Sequence, residues 1–410
     1  MPKGNPRMKN IFSAIWLLFL LLALGCAKEE TPYIEADTPT CQRTKLENQH
    51  IIHWKSKATT LLQVQTLADF ESFKLEHKNQ IEFIEPNYLL TDPNATSDFN
   101  FVRSASSVHN LVNAPTLWQA GYQGQGIVVA VIDTGINLNH PQLITHLAIN
   151  EIESRSGKNN IDDDGNGFID DIYGWNFVTN KTESIDEHGH GTAMAGIITG
   201  SNYNRPSLSM APLAKILPVD FMNETGGTEY DAKEAMAYAI SRKVHIINNS
   251  WSINCSQLLK QAFIGWKNEN VIFVNASGNS PVDVVLNGII PSSLDLPNSL
   301  NVGSLDESGH RSSFSGFGTT VKIFAPGEFI PTIYPSSGFN HSVPTSGTSV
   351  SAAIVSGAAA LLWSAYPEAT AAEIVYLMTE TTNQEPLLEK VLDLKKAYYF
   401  GRNLIPRTIN

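Results

Sequence analysis

Three short stretches carry residue types that could do covalent chemistry together. Val131-Ile132-Asp133-Thr134-Gly135 puts a carboxylate at the end of a β-branched run. His190-Gly191-Thr192-Ala193-Met194-Ala195-Gly196 opens a small-residue helix with an imidazole, and Ser346-Gly347-Thr348-Ser349 opens a long apolar helix with a hydroxyl. Taken singly, each has a plain structural use, as a strand-end cap, a satisfied core histidine or a helix N-cap. Together they are a nucleophile, a base and a group to orient the base. A serine hydroxyl is weakly nucleophilic at neutral pH and needs an adjacent base. The base needs an acidic partner to fix its tautomer and stabilise the imidazolium. That set performs acyl transfer.

The elements around these stretches read as alternating strands and helices, with Asp133 at the carboxyl end of a buried strand. Ile127–Ile132 is a continuous apolar run, as expected of a strand buried on both faces, and Lys215–Val219, Val244–Asn248 and Val271–Asn275 are similar. Helical patterns over Tyr230–Lys243, Cys255–Asn270, Thr348–Tyr366 and Ala371–Thr381 are interleaved with or follow them. Strand–helix alternation predicts an α/β fold with a mostly parallel central sheet and helices on both faces. Ligands in such folds bind at the carboxyl ends of the strands. Gly121, Gly124 and Gly126 are not a dinucleotide loop, because they precede a strand instead of following one into a helix.

The chain order Asp, His, Ser is one of three known for such triads. With Gly124-Gln125-Gly126-Ile127-Val128-Val129-Ala130, Asp186-Glu187-His188-Gly189-His190-Gly191-Thr192, Phe314-Ser315-Gly316-Phe317-Gly318 and Ala325-Pro326-Gly327, it resembles the subtilisin-like serine protease (subtilase) family from about Ala114 to Tyr398. The resemblance implies a three-layer subtilisin-like fold and a serine endopeptidase with Asp133, His190 and Ser349 as catalytic residues. It selects His190 over His188, since only His190 precedes Gly-Thr. It implies Asn279, ending Val274-Asn275-Ala276-Ser277-Gly278-Asn279, as the oxyanion donor, and Ser250, Trp251, Ser252, Ser277 and Gly278 as substrate-binding positions. Trp251 and Ser252 stand where the family often has Leu and Gly, which would reshape the pocket. Ala353 replaces a frequent Pro in the first turns of the serine helix, where Pro is tolerated, not required. Two other readings use the same residues: a narrow-specificity processing protease or transpeptidase, and a non-catalytic surface binding lipoprotein.

Asp162-Asp163-Asp164-Gly165-Asn166-Gly167-Phe168-Ile169-Asp170-Asp171 spaces oxygen donors like a calcium loop. Asp162, Asp164, Asn166, the Phe168 carbonyl and Asp170 take successive ligand positions. The usual twelfth-position Glu is missing, with Asp171 as its substitute. Similar insertions in some subtilases imply structural Ca2+; no organic cofactor is expected.

Lys3, Arg7 and Lys9 precede an apolar run, Ile11 to Leu24, which is shorter than the ~20 residues of a comfortable membrane span. It ends in Leu22-Ala23-Leu24-Gly25-Cys26, which resembles a lipobox with Cys26 as the lipidated residue. Ala27-Lys28-Glu29-Glu30 resembles a cell-surface signal of bacterial lipoproteins. The expectation is an exported outer-membrane or cell-surface lipoprotein. Ile81-Glu82-Phe83-Ile84-Glu85-Pro86-Asn87-Tyr88 resembles the last strand of the family's inhibitory propeptide, so self-cleavage is expected between about Leu90 and Ser107. The chain then divides into a signal peptide (1–25), a tether (26–47), a short prosegment (48–91), a processing region (92–106), a peptidase domain (107–400) and a tail (401–410). Expected partners are polypeptide substrates, the chain's own prosegment and, through Cys26, a membrane. Maturation would release the enzyme from the lipid unless the prosegment stays attached.

Composition agrees. Hydrophobic residues make up 42% of 410, enough for a large core. Lys and Arg number 28 against 40 Asp and Glu, a net −12 that argues against a nucleic-acid binder, which would show a basic face. Glu151 to Glu187 holds ten acidic and three basic residues, so much of that charge is local. Three cysteines with no CxxC pair are too few for a disulfide scaffold or a cysteine-built zinc site.

Overall fold

Strand Val128–Asp133 pairs in parallel with Lys215–Asp220 on one side and Ile246–Asn249 on the other. A computed structural model of the chain describes residues 43–90, 103–200, 209–335, 343–382 and 389–405. The central sheet has seven strands, in the order Ile323–Pro326, Ser299–Leu305, Ile272–Ala276, Ile246–Asn249, Val128–Asp133, Lys215–Asp220 and Trp175–Asn176. Each pairing in it is parallel. Alternate residues of Val128–Asp133 enter two different cores, Val129 and Val131 one, Ala130 and Ile132 the other. This is how a continuous apolar run becomes a strand covered on both faces. The first core is filled by helices His190–Thr199 and Thr348–Ala365, and the second by Glu229–Ser241 and Gln257–Gly265. The three-layer α/β expectation holds.

Helix Thr348–Ala365 is long and apolar enough to cross a membrane, yet 94% of it is buried in the protein. It is the central core helix. Each fully buried Val, Leu or Ile contributes about 1.5–3 kcal/mol, so the sheet and this helix hold the serine end rigidly. Polar side chains also fix the strands' carboxyl ends. Asn249 Nδ2 donates to Asn275 Oδ1 at 3.0 Å, and Asn275 Nδ2 donates to Asn301 Oδ1 at 2.9 Å, all buried.

The described residues fall into two compact units, a smaller one over 47–86 and a larger one made of 43–46 and the described residues from 87 onward. In the smaller unit, Gln49–His53 pairs antiparallel with Thr59–Gln63. Helix Leu67–His77 starts on a capping box of Thr66 and Asp69. Its core is small: Ile52, Phe70, Ile81 and Ile84. The buried His53 Nε2 and Glu85 Oε1 lie 2.8 Å apart. In the larger unit, Leu89 and Leu90 pair antiparallel with Thr228 and Gly227. The expected leader, the lipidation residue Cys26 and the tether as far as residue 42 lie outside the described residues; the tether's last residues, expected to be linker, instead open strand Thr44–Trp54.

Candidate active site

Asp133 ends its strand, and strand register brings its neighbours to the same edge. Val131 lies beside Asn248, and Asn249 beside Asn275. Asp133, Ser250 and Asn279 therefore all emerge at the carboxyl side of adjacent strands. His190 begins helix His190–Thr199 and approaches Asp133 across the sheet edge, its Nδ1 2.7 Å from Asp133 Oδ1. Both are buried. The approach requires Gly191, because a Cβ there would meet the Gly135 carbonyl oxygen at 2.1 Å. Asp186 fastens the two elements: its Oδ1 accepts Thr134 Oγ1 at 2.8 Å and Gly189 N–H at 2.7 Å, and its Oδ2 accepts Thr192 N–H at 2.8 Å. His188 is exposed, its ring 6.4 Å from that of His190.

Ser349 lies in the first turn of the 18-residue helix, where backbone N–H groups lack helical acceptors and negative charge is favoured. Asn279 Oδ1 accepts from the Thr348 N–H at 2.8 Å and its hydroxyl at 2.9 Å. That fixes the amide and leaves Nδ2 as its donor end. A Cβ on Gly347 would lie 3.0 Å from Ser349 Oγ and 3.3 Å from Asn279 Nδ2. The hydroxyl and the amide thus flank one small space that only a glycine leaves open.

The expected substrate-binding positions divide. Ser250 is buried and donates to the Ser349 carbonyl at 3.1 Å, so its hydroxyl supports the Ser349 backbone. Ser277 is buried and donates to the Gly316 carbonyl at 3.1 Å. Trp251 is 1% exposed, its ring 5.2 Å from that of Phe221, in the cluster that also holds Tyr88 and Leu90. Ser252 Oγ lies 3.3 Å from where a Cβ on Gly278 would stand. Gly278 N–H donates to Thr348 Oγ1 at 3.1 Å.

Asp220, opposite Asp133 on the next strand, carried no signal in the sequence. It accepts from Ser184 Oγ at 2.7 Å and Asn176 Nδ2 at 3.1 Å. Complete burial, with Asp186 and Asp133 nearby, pushes its carboxyl well above the usual range. A carboxyl raised in the folded state favours folding while it is protonated, and that advantage fades as pH climbs from the unfolded value, about 3.9. Asp220→Asn, which mimics the neutral acid, should therefore melt above wild type at pH 8 and level with it near pH 4. A gain largest in acid would contradict a neutral Asp220.

In the acidic loop, Asp164 and Asp171 group with Glu153, their ligand atoms within 4.8 Å of one another. Glu153 stands on helix Glu151–Ser156, outside the loop, and is fully buried. Its Oε1 accepts the N–H groups of Asp163 and Asp164 at 2.7 and 3.2 Å, while its Oε2 has no hydrogen-bond partner among the described residues. Asn150 Nδ2 donates to Asp164 and Asp171, and Asn166 Nδ2 does the same. Asp162 accepts the Asn166 and Gly167 N–H groups; the bond from Gly167, chiefly, holds its carboxyl below the usual range. Asp170 departs from the loop template. Its φ is +55°, and its two oxygens accept the N–H groups of Asn159 and Asn160 instead of joining the group. The Phe168 ring packs on Trp175 and Tyr238. Asp171 is also paired with Arg242 at 2.8 Å and Tyr238.

A profile of the Subtilase family matches residues 124–401. The chain belongs to the subtilase family. It is 27% identical over 298 residues to Subtilisin DY of Bacillus licheniformis, covering 72% of this chain and 94% of that protein. It is 31% identical over 253 residues to Subtilisin Savinase of Lederbergia lenta, covering 61% and 81%. A crystal structure of a cold adapted subtilisin-like serine proteinase superposes with a TM-score of 0.55 at 27% identity, over 66% of this chain and 90% of that one. The protein is a subtilisin-like serine endopeptidase.

Proposed function

We propose that this subtilase cleaves polypeptides with Asp133, His190 and Ser349 as its triad and Asn279 as oxyanion donor. The observation that carries the reading is the buried 2.7 Å Asp133–His190 contact at the sheet edge that also presents Ser349. His190 Nε2 takes the Ser349 proton as Oγ bonds to the peptide carbonyl carbon. The resulting oxyanion meets Asn279 Nδ2 and the Ser349 N–H. His190 then gives the proton to the leaving nitrogen as the C–N bond breaks, and water repeats the sequence to release the acyl group. Wild-type protein should be labelled at Ser349 by a fluorophosphonate and should cleave unstructured peptides; labelling elsewhere would remove Ser349 from its role. Asn279→Ala should lower kcat about 10²–10³-fold, the size of the corresponding loss in subtilisin, with KM little changed. A loss confined to KM would make Asn279 a binding residue instead.

The proposal includes export as a lipoprotein modified at Cys26 and a prosegment over 48–91 removed by self-cleavage. The second part is supported by Leu89 and Leu90, which occupy the edge of Gly226–Thr228 as an added strand, the way a peptide substrate binds a sheet edge. It also includes a structural Ca2+ site. All-oxygen donors suit that hard cation, and the unpartnered buried Glu153 Oε2 is an acceptor awaiting one. Glu153, Asp164 and Asp171 would hold it, and the Asn150 and Asn166 amides, turned over, would offer carbonyl oxygens. EDTA should then lower Tm by about 5 °C, and calcium should restore it. Glu153→Gln should abolish that response; an unchanged midpoint in wild type would sink the site.

A further inference from the structure

Of the three cysteines, Cys26, Cys41 and Cys255, Cys255 is disulfide-bonded. It follows strand Ile253–Asn254, which pairs with Ile289–Ile290, and its N–H donates to the Gly288 carbonyl at 2.8 Å. Ile253 and Ile290 lie in the cluster that buries Tyr88 and Leu90. Arg43 reaches the same region. Its guanidinium carbon is 3.6 Å from the centre of the Tyr88 ring, and its Nη1 donates to Glu229 Oε2 at 3.3 Å. Both charged side chains are almost completely buried. Losing one partner of such a pair would strand the other charge, so Arg43 is held in place beside this cluster.

We propose that Cys41 is the partner of Cys255, so that the prosegment remains covalently joined to the catalytic unit after cleavage. The proposal rests on the reading that the chain cuts itself beyond Leu90. Cys41 is outside the described residues; its assignment follows from the count of thiols and from Arg43, two residues away, which is a reach of at most ~7 Å along the backbone. Cys26 lies 17 positions before Arg43, and lipidation would consume its sulfur in a thioether. Forming the bond removes two protons and two electrons from the two thiols, accepted by an oxidoreductase disulfide of the oxidising compartment. The consequence is retention. A cut between Leu90 and Ser107 would leave the lipid at Cys26 on the protease, and the inhibitory strand at a high effective concentration next to the groove.

The test is peptide mapping of the unreduced full chain by mass spectrometry, together with gels run with and without reductant. A linked peptide containing Cys41 and Cys255 is expected. A Cys26–Cys255 peptide, or a free Cys255 thiol, overturns the proposal. Wild-type protein should run as one species without reductant and as two fragments with it, while Ser349→Ala, being uncut, stays one species throughout. Fragments that separate without reductant overturn the tether and leave the cleavage reading standing. A wild-type chain that stays whole even after reduction overturns the cleavage reading and covalent retention with it, and the peptide map still decides the bond. Cys41→Ser should release the cut catalytic fragment from membrane fractions; continued retention counts against the tether.

Discussion

Ser349→Ala is expected to lower kcat for peptide hydrolysis by about 10⁶-fold, a magnitude carried over from subtilisin, with Tm close to wild type. The structure explains why so small a change should be so selective. The bonds that hold this turn in place do not use the Ser349 hydroxyl. Ser250 grips its backbone carbonyl, and Asn279 grips Thr348. Alanine also suits the first turn of a helix. The proposed oxyanion donors, Asn279 Nδ2 and the residue-349 N–H, stay in place, so weak residual activity should remain above the uncatalysed rate. Steady-state kinetics on a chromogenic peptide, with a melting curve, checks both halves. Activity within about tenfold of wild type would exclude Ser349 as the nucleophile. A large drop in Tm would show that the hydroxyl has a structural duty not evident in these contacts.

What the sequence made legible here follows a physical rule. Asp133, His190 and Ser349 each need a particular local backbone, so the glycines and small residues beside them form contiguous motifs. The strands flanking Asp133 were visible because burial on both faces leaves an uninterrupted apolar run. Ser299–Leu305 was not, because Asn301 and Gly303 break that run. Both have tertiary reasons: Asn301 continues the buried amide row, and a Cβ on Gly303 would meet the Phe324 ring at 2.1 Å. Glu153 was hidden for a similar reason. It precedes the acidic loop by one helix, and only the chain's return places it beside Asp164 and Asp171. The loop template correctly pointed to a crowded acidic turn, but it counted along the chain. It could not know that a left-handed Asp170 would turn its carboxylate onto Asn159 and Asn160. Ser250 shows the same limit from the other side. Its place just beyond a buried strand was readable, while the bond it donates to the Ser349 carbonyl was not.

Asp133→Asn should lower kcat by about 10⁴-fold while leaving KM near wild type and lowering Tm modestly. Asp133 Oδ1 accepts the Thr134 N–H at 2.8 Å and faces His190 Nδ1 at 2.7 Å. If the new amide keeps its oxygen on Thr134, that oxygen still serves His190, and only the negative charge is lost. The imidazolium formed during attack then stands uncompensated in a buried site. If the amide turns its N–H toward His190, the imidazole must adopt the wrong tautomer and Thr134 loses its acceptor. Either outcome acts on the proton-transfer step, so binding is spared and kcat falls. Neither is free of cost: the first puts the amide nitrogen where Asp133 Oδ2 stands buried without a hydrogen-bond partner among the described residues, and the second takes the acceptor from the Thr134 N–H, so each leaves a buried N–H unpaired at about 1–3 kcal/mol. A lowered Tm is therefore expected, and an unchanged Tm would show that the new amide finds a partner that Asp133 Oδ2 lacks. The substitution also removes one of the charges that raise the Asp220 carboxyl, so Asp220 should titrate lower in this variant. A kcat loss under about tenfold would mean that His190 is oriented by some other group, Asp186 first among those near it.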